Sequence, residues 1–190
     1  MTKILAFAGS TRKGSYNHAI VNVAAQGARE AGAEVTIIDL ADYQMPLFNE
    51  DEEAEFGMPE KAQAFKELLI SHDGFLIASP EYNSSYPALL KNAIDWASRM
   101  SEGEKPLEAY RGKVAGIMAA SAGGLGGMRV LVVLRMLLEN VGTMVIPNQK
   151  AIAKVNTLMN DSGEITDEKT IKQLKNLGKE TAETAAKLKL

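Results

Sequence analysis

Cysteine is absent from this sequence, which excludes disulfide stapling, zinc thiolate sites, a thiol nucleophile and the thiol-based phosphatase loop. Histidine is nearly as scarce. His18 and His72 fall in helical or helix-end settings without a cluster of further ligands, so neither reads as a metal ligand or a catalytic base. No charge of one sign dominates: 21 basic and 24 acidic residues leave a formal net charge of −3. That field is too weak to steer polyanions, and no basic stripe suits nucleic acid. Nor does any apolar run approach the ~20 residues of a membrane span. The first such run, Ile4–Ala8, is too short for a signal-peptide core and opens into a polar loop. The expectation is a cytoplasmic globular protein, with its 190 residues forming one domain over 1–190.

What is present alternates. Ile4–Ala8, Val35–Leu40, Gly74–Ser79, Val114–Ser121 and Thr143–Pro147 are strand candidates, with helical patterns near 17–31, 60–71, 87–100 and 128–141 between them. This βα repeat specifies a parallel sheet, and the continuous apolar blocks place helices on both of its faces. A last helix near 167–188 carries an apolar stripe opposite lysines and glutamates. The acidic segment 41–59, with Pro46, Gly57 and Pro59, reads as a solvated connector or a lid. Helix 128–141 is apolar around almost its whole circumference. One sheet face cannot bury all of it, so a second copy of the chain is expected against it, with helix 87–100 as a further interface candidate.

Three polar or glycine-rich segments follow strand ends. The first, Gly9 to Asn17, offers the hydroxyls of Ser10, Thr11 and Ser15, the Asn17 amide, the Arg12 guanidinium and a helix N-terminus; this chemistry suits a phosphate. The second is Pro80 to Ser85, where Tyr82 supplies an aromatic face and Asn83 a directional amide. The third, Ala122 to Gly127, removes side chains where a ligand would approach closely. In a sheet ordered 2-1-3-4-5 the three parent strands are neighbours, and at about 4.8 Å per step the outer pair lies ~10 Å apart. A planar tricyclic ring fits that span. A Walker loop does not fit, because Gly14 is followed by Ser15 and Tyr16. A nicotinamide-type fingerprint fails on glycine spacing, leaving Asp39 as a strand-end turn residue.

These residues resemble the NADPH-dependent FMN reductase family, which includes quinone, chromate and azo-dye reductases. The resemblance is carried by Gly9-Ser10-Thr11-Arg12-Lys13-Gly14-Ser15-Tyr16-Asn17, by Pro80-Glu81-Tyr82-Asn83 with Leu90-Lys91-Asn92-Ala93-Ile94-Asp95-Trp96, and by Ser121-Ala122-Gly123-Gly124 with Gly126-Gly127. It departs at Ser84, where many relatives carry glycine or another residue, and at Ala88, where glycine is frequent.

The resemblance implies a flavodoxin-like three-layer α/β sandwich with a five-stranded parallel sheet. It implies that Ser10, Arg12, Ser15 and Asn17 hold the FMN phosphate. Pro80, Glu81, Tyr82 and Asn83 would border the ring, Glu81 mainly through its backbone, and Ser121, Gly123 and Gly124 would close the pocket. The implied activity passes hydride from NADPH or NADH to the flavin and on to a small-molecule acceptor: a quinone, an azo compound, chromate or free flavin. No metal and no catalytic side chain is called for, and the family is commonly dimeric or tetrameric. The alternative is a flavodoxin-like FMN electron carrier without nicotinamide turnover; a binder of some other phosphorylated ligand would need the first loop alone.

Overall fold

The computed structural model describes residues 1–189. Along the chain run β1 (Lys3–Ala8), α1 (Tyr16–Glu30), β2 (Glu34–Asp39), α2 (Glu50–Phe56), α3 (Glu60–Ser71), β3 (Gly74–Ala78) and α4 (Ala88–Ser98). Then follow β4 (Val114–Ala120), α5 (Met128–Asn140), β5 (Met144–Val145), β6 (Lys150–Ile152) and α6 (Glu168–Leu188). The strands pair in parallel in the order β2-β1-β3-β4-β5.

Period-two alternation sorts the side chains of β1 between two cores. Ile4, Ala6 and Ala8 point into one with Ile20 and Ala24 of α1 and Leu174 and Leu177 of α6. Leu5 and Phe7 point into the other with Phe65 of α3, Leu90 and Ile94 of α4, and Leu134 of α5. Helices therefore cover both faces, and every residue of β3 and β4 is buried.

Two expectations change. The fifth strand does not run as one piece over Thr143–Pro147: β5 pairs with Val114 and Ala115, and a sixth strand, β6, pairs farther along β4 with Met118 to Ala120. Pro147 lies in the break and has no amide hydrogen to give a ladder. Arg135 of α5 fills the gap, donating to the carbonyls of Val145 (2.9 Å) and Ile146 (2.8 Å) and to Gln149 Oε1 (3.0 Å).

The 41–59 segment is the second change, since it contains α2, capped by Asn49, and is pinned to α4. Asn92 accepts the Phe48 amide at 2.8 Å and donates to the Pro46 carbonyl at 2.9 Å, and Trp96 Nε1 donates to that same carbonyl at 2.8 Å. Arg99 grips Glu53 at 2.8 Å. Trp96 is buried, so it anchors this connector and the core rather than forming an interface on α4.

His72, at the C-terminal end of α3, sets a pH limit on stability. It is buried between the Leu68 carbonyl (2.6 Å) and Thr36 Oγ1 (2.9 Å). Burial pushes its pKa below the ordinary histidine value, and nearby Lys3 and Lys113 push the same way, outweighing the opposing Leu68 bond and Glu34. The unfolded chain thus binds a proton where the folded chain does not. Stability from this group is whole above about pH 6.5 and declines as pH falls toward the lowered folded value. Thermal melts should show this slope in the wild type and a flatter one in His72→Gln; equal slopes would contradict the assignment. The Asp167 carboxyl, held low by hydrogen bonds from Thr170, adds an acid loss only below about pH 4.

Candidate active site

The C-terminal ends of β1, β3 and β4 lie side by side, and the three loops leave from them. In the first, the Ser15 amide donates to the Arg12 carbonyl at 3.1 Å, and Gly14 has φ +64°, a left-handed turn that glycine accepts without strain. Ser15 occupies the N-cap of α1, yet its hydroxyl makes no capping bond and no acidic residue lies in the first turn. By contrast, Asp167 caps α6 and Asn49 caps α2. The α1 terminus therefore keeps its partial positive charge and its donors for an anion. His18 Nε2 lies 2.7 Å from the Ser10 carbonyl; a carbonyl only accepts, so this nitrogen carries the hydrogen and fixes the loop backbone. The Arg12 guanidinium stacks over the Tyr16 ring at 5.0 Å.

Asn17 does something the sequence did not disclose. Its Oδ1 accepts the Ala120 amide at 3.0 Å and its Nδ2 donates to the Ala120 carbonyl at 3.3 Å. The side chain is buried and staples the start of α1 to the end of β4. The spacing of 103 residues between the partners hides such a bond from any local pattern.

In the second loop, Tyr82 and Ser85 exchange both backbone hydrogen bonds, at 2.9 and 3.0 Å. The turn between them holds Asn83 at φ 52° and Ser84 at φ 67°. Two left-handed residues in succession are the geometry that favours glycine, so serine at position 84 is held in a strained turn. Tyr82 stays 56% exposed, and its ring offers an available flat face. The Glu81 carboxylate turns away to the start of α5, accepting the amides of Arg129 (3.0 Å) and Val130 (3.1 Å).

In the third loop, the Ser121 amide donates to the Ile152 carbonyl at 3.2 Å and the Ser121 carbonyl accepts the Val155 amide at 3.1 Å. A Cβ on Gly126 would meet the Ala153 nitrogen at 2.5 Å, so that glycine serves the fold. At Gly124 the corresponding direction is open.

A cavity of about 260 Å³ is lined by Ser10, Arg12, Ser15, Tyr16, Asn17, Pro80, Glu81, Tyr82, Ala120, Ser121 and Ala122. All three loops thus converge. Asn83, Gly123 and Gly124 stand in the flanking turns and not on the wall. Tyr16, Ala120 and Ala122 line it without having been anticipated. Tyr16 follows the N-cap directly, which was a usable signal; the alanines contribute backbone and gave none. A larger hollow of about 1000 Å³ runs along α1 and α6 among Lys169, Lys172, Lys175 and Lys179. It is open and lined by solvated charges, some paired with one another, as in Lys175–Glu30 and Lys179–Glu183. It gathers no convergent donor set. Among the described residues no group of acidic residues and histidines could hold a metal ion, and no helix is long and apolar enough to cross a membrane.

The model of the family described as NADPH-dependent FMN reductase matches residues 2–157. An NAD(P)H-dependent FMN reductase of Pseudomonas aeruginosa is 41% identical over 136 residues, covering 72% of this chain and 69% of that protein. A quinone reductase of Escherichia coli strain K12 is 33% identical over 177 residues, covering 90% and 89%. The solved structure of FerB, a flavoenzyme NAD(P)H:(acceptor) oxidoreductase from Paracoccus denitrificans, superposes with a TM-score of 0.79 at 30% identity, covering 98% of both chains.

Proposed function

Because the chain belongs to the NADPH-dependent FMN reductase family, we propose that the cavity at the ends of β1, β3 and β4 holds FMN and serves an NAD(P)H-dependent quinone reductase. The observation that carries this reading is the uncapped N-terminus of α1 meeting the backbone of Pro80–Tyr82 and Ala120–Ala122 around one cavity. The donor set fits the group: first-turn amides, the Ser10 and Ser15 hydroxyls and Arg12 match a phosphate, while backbone amides and carbonyls match the edge of a flat heterocycle. When bound, FMN would supply the hydride-transfer chemistry between nicotinamide and acceptor.

The chain's own residues bind and orient. Ser10, Ser15 and Arg12 would hold the phosphate, Asn17 keeps the first and third loops together, and exposed Tyr82 would border the bound flavin. No side chain acts as nucleophile or dedicated base. Glu81, the one carboxylate on the wall, is engaged by two backbone amides. Family membership favours this enzyme over an electron carrier of the same fold. Purified holoprotein should oxidise NADPH or NADH when a quinone is supplied; a flavin-loaded protein inert to both nicotinamides would contradict the reading.

Homo-oligomerisation through α5 is part of the proposal. Met128, Val132 and Met136, one turn apart, are 52%, 66% and 63% exposed, a stripe that a second copy would cover. Sedimentation should therefore give a mass above the monomer, and a monomer mass would contradict it. Cytoplasmic residence is supported by the absence of cysteine and by the nicotinamide reductant.

A further inference from the structure

The N-terminus of α5 has no cap of its own. Gly127, at the N-cap in a left-handed conformation, has no side chain to offer, and none of its neighbours in sequence supplies one. The cap comes from the second loop: Glu81 Oε2 accepts the amides of both Arg129 and Val130, at 3.0 and 3.1 Å. The Arg129 guanidinium completes the connection, lying 3.8 Å from Glu81 Oε1 and donating to Ser84 Oγ at 3.2 Å. Glu81 sits between two cavity-lining residues, Pro80 and Tyr82. Ser84 is in a left-handed conformation that only surrounding contacts can hold.

We propose that Glu81 is a positioning residue: its carboxylate clips the second loop to α5, presenting the Pro80–Tyr82 backbone to the flavin and neutralising the positive end of that helix beside it. This rests on the reading that the cavity binds FMN, and it adds a role for the side chain where the family resemblance implied only backbone. The geometry has two separable effects. As a clip, the carboxylate sets the loop conformation and hence flavin affinity. As a charge, it offsets the helix terminus and Arg129, which would otherwise favour the more negative, reduced flavin.

Two variants divide these effects. Glu81→Ala removes clip and charge; Glu81→Gln keeps an acceptor oxygen for the amides and removes the charge. Titration of FMN by fluorescence quenching should show Glu81→Ala binding about tenfold more weakly than wild type, the scale of a lost cap with a charge-assisted bond. Glu81→Gln should recover most of that affinity, and its bound flavin should have a higher midpoint potential than wild type. A cap that served only helix stability would lower the melting temperature of Glu81→Ala and leave affinity and potential unchanged; that result overturns the proposal. Should Glu81→Ala fail to fold, Glu81→Gln decides alone, and an unshifted potential overturns it. Wild type that fails to quench FMN overturns the underlying reading instead, a failure visible before any variant is made.

Discussion

Asn17→Ala should unfold with about 2–4 kcal/mol less stability than wild type, because a buried amide and a buried carbonyl lose their partner together. Both belong to Ala120, where β4 leaves the sheet, and both are satisfied by the one Asn17 side chain. Denaturant unfolding measures the loss. FMN affinity should fall with it, since the same staple sets the distance between the first loop, proposed to hold the phosphate, and the third loop. Asn17→Asp separates the two effects. A carboxylate can still accept the Ala120 amide but cannot donate to its carbonyl, and it brings a negative charge to the helix end proposed to hold the phosphate. Both variants should lose stability, and FMN binding should fall further in Asn17→Asp. Equal losses of affinity in the two variants would mean that no anion occupies this terminus.

Gly178→Ala should be worse for the fold and leave the site alone. A Cβ at position 178 would lie 1.8 Å from the Ala24 carbonyl oxygen, and one at Gly27 would lie 2.0 Å from the Lys175 carbonyl oxygen. These glycines face each other's helices, letting α1 and α6 approach until backbone touches backbone. No rotamer relieves a clash with a carbonyl, so the helices must separate and the core between them opens. About 3 kcal/mol or more is expected, beyond the usual cost of overpacking. Gly178 contacts the middle of α1 while the cavity uses its first turn, so whatever fraction remains folded should bind FMN normally. A melting temperature within a degree or two of wild type would show that the close approach is not required.

The α/β alternation was legible because buried parallel strands are written as continuous apolar blocks between turn signals, as at Ile4–Ala8 and Val114–Ser121. The edge was not. β5 and β6 are two and three residues long, too short for any period, and their alignment depends on Arg135 reaching across from α5. The 41–59 segment hid its rigidity for a similar reason: its anchors, Asn92 and Trp96 on α4 and Arg99 just past its end, lie far along the chain.

In the candidate site, residues that offer hydroxyls, amides or charge in a local turn, such as Ser10, Arg12 and Ser15, stood out from the sequence. Glu81 and Asn17 were noticed as residues, but their bonds join loops far apart in the chain, and only the assembled sheet brings those ends together. On α5, the apolar circumference was visible in sequence; which stripe stays uncovered, Met128-Val132-Met136, required the packing of Val130, Leu131, Leu134 and Leu138 against the sheet.

The central claim is that the terminus of α1 and the loop before it are built for the phosphate of a flavin. The most direct test is a parallel titration of flavin-free protein with FMN and with riboflavin, for wild type and Arg12→Ala. Wild type should bind FMN at least about tenfold more tightly than riboflavin, the scale of one hydrogen bond to a charged group, and Arg12→Ala should lose most of that preference. Equal affinity of the wild type for the two flavins would contradict the account.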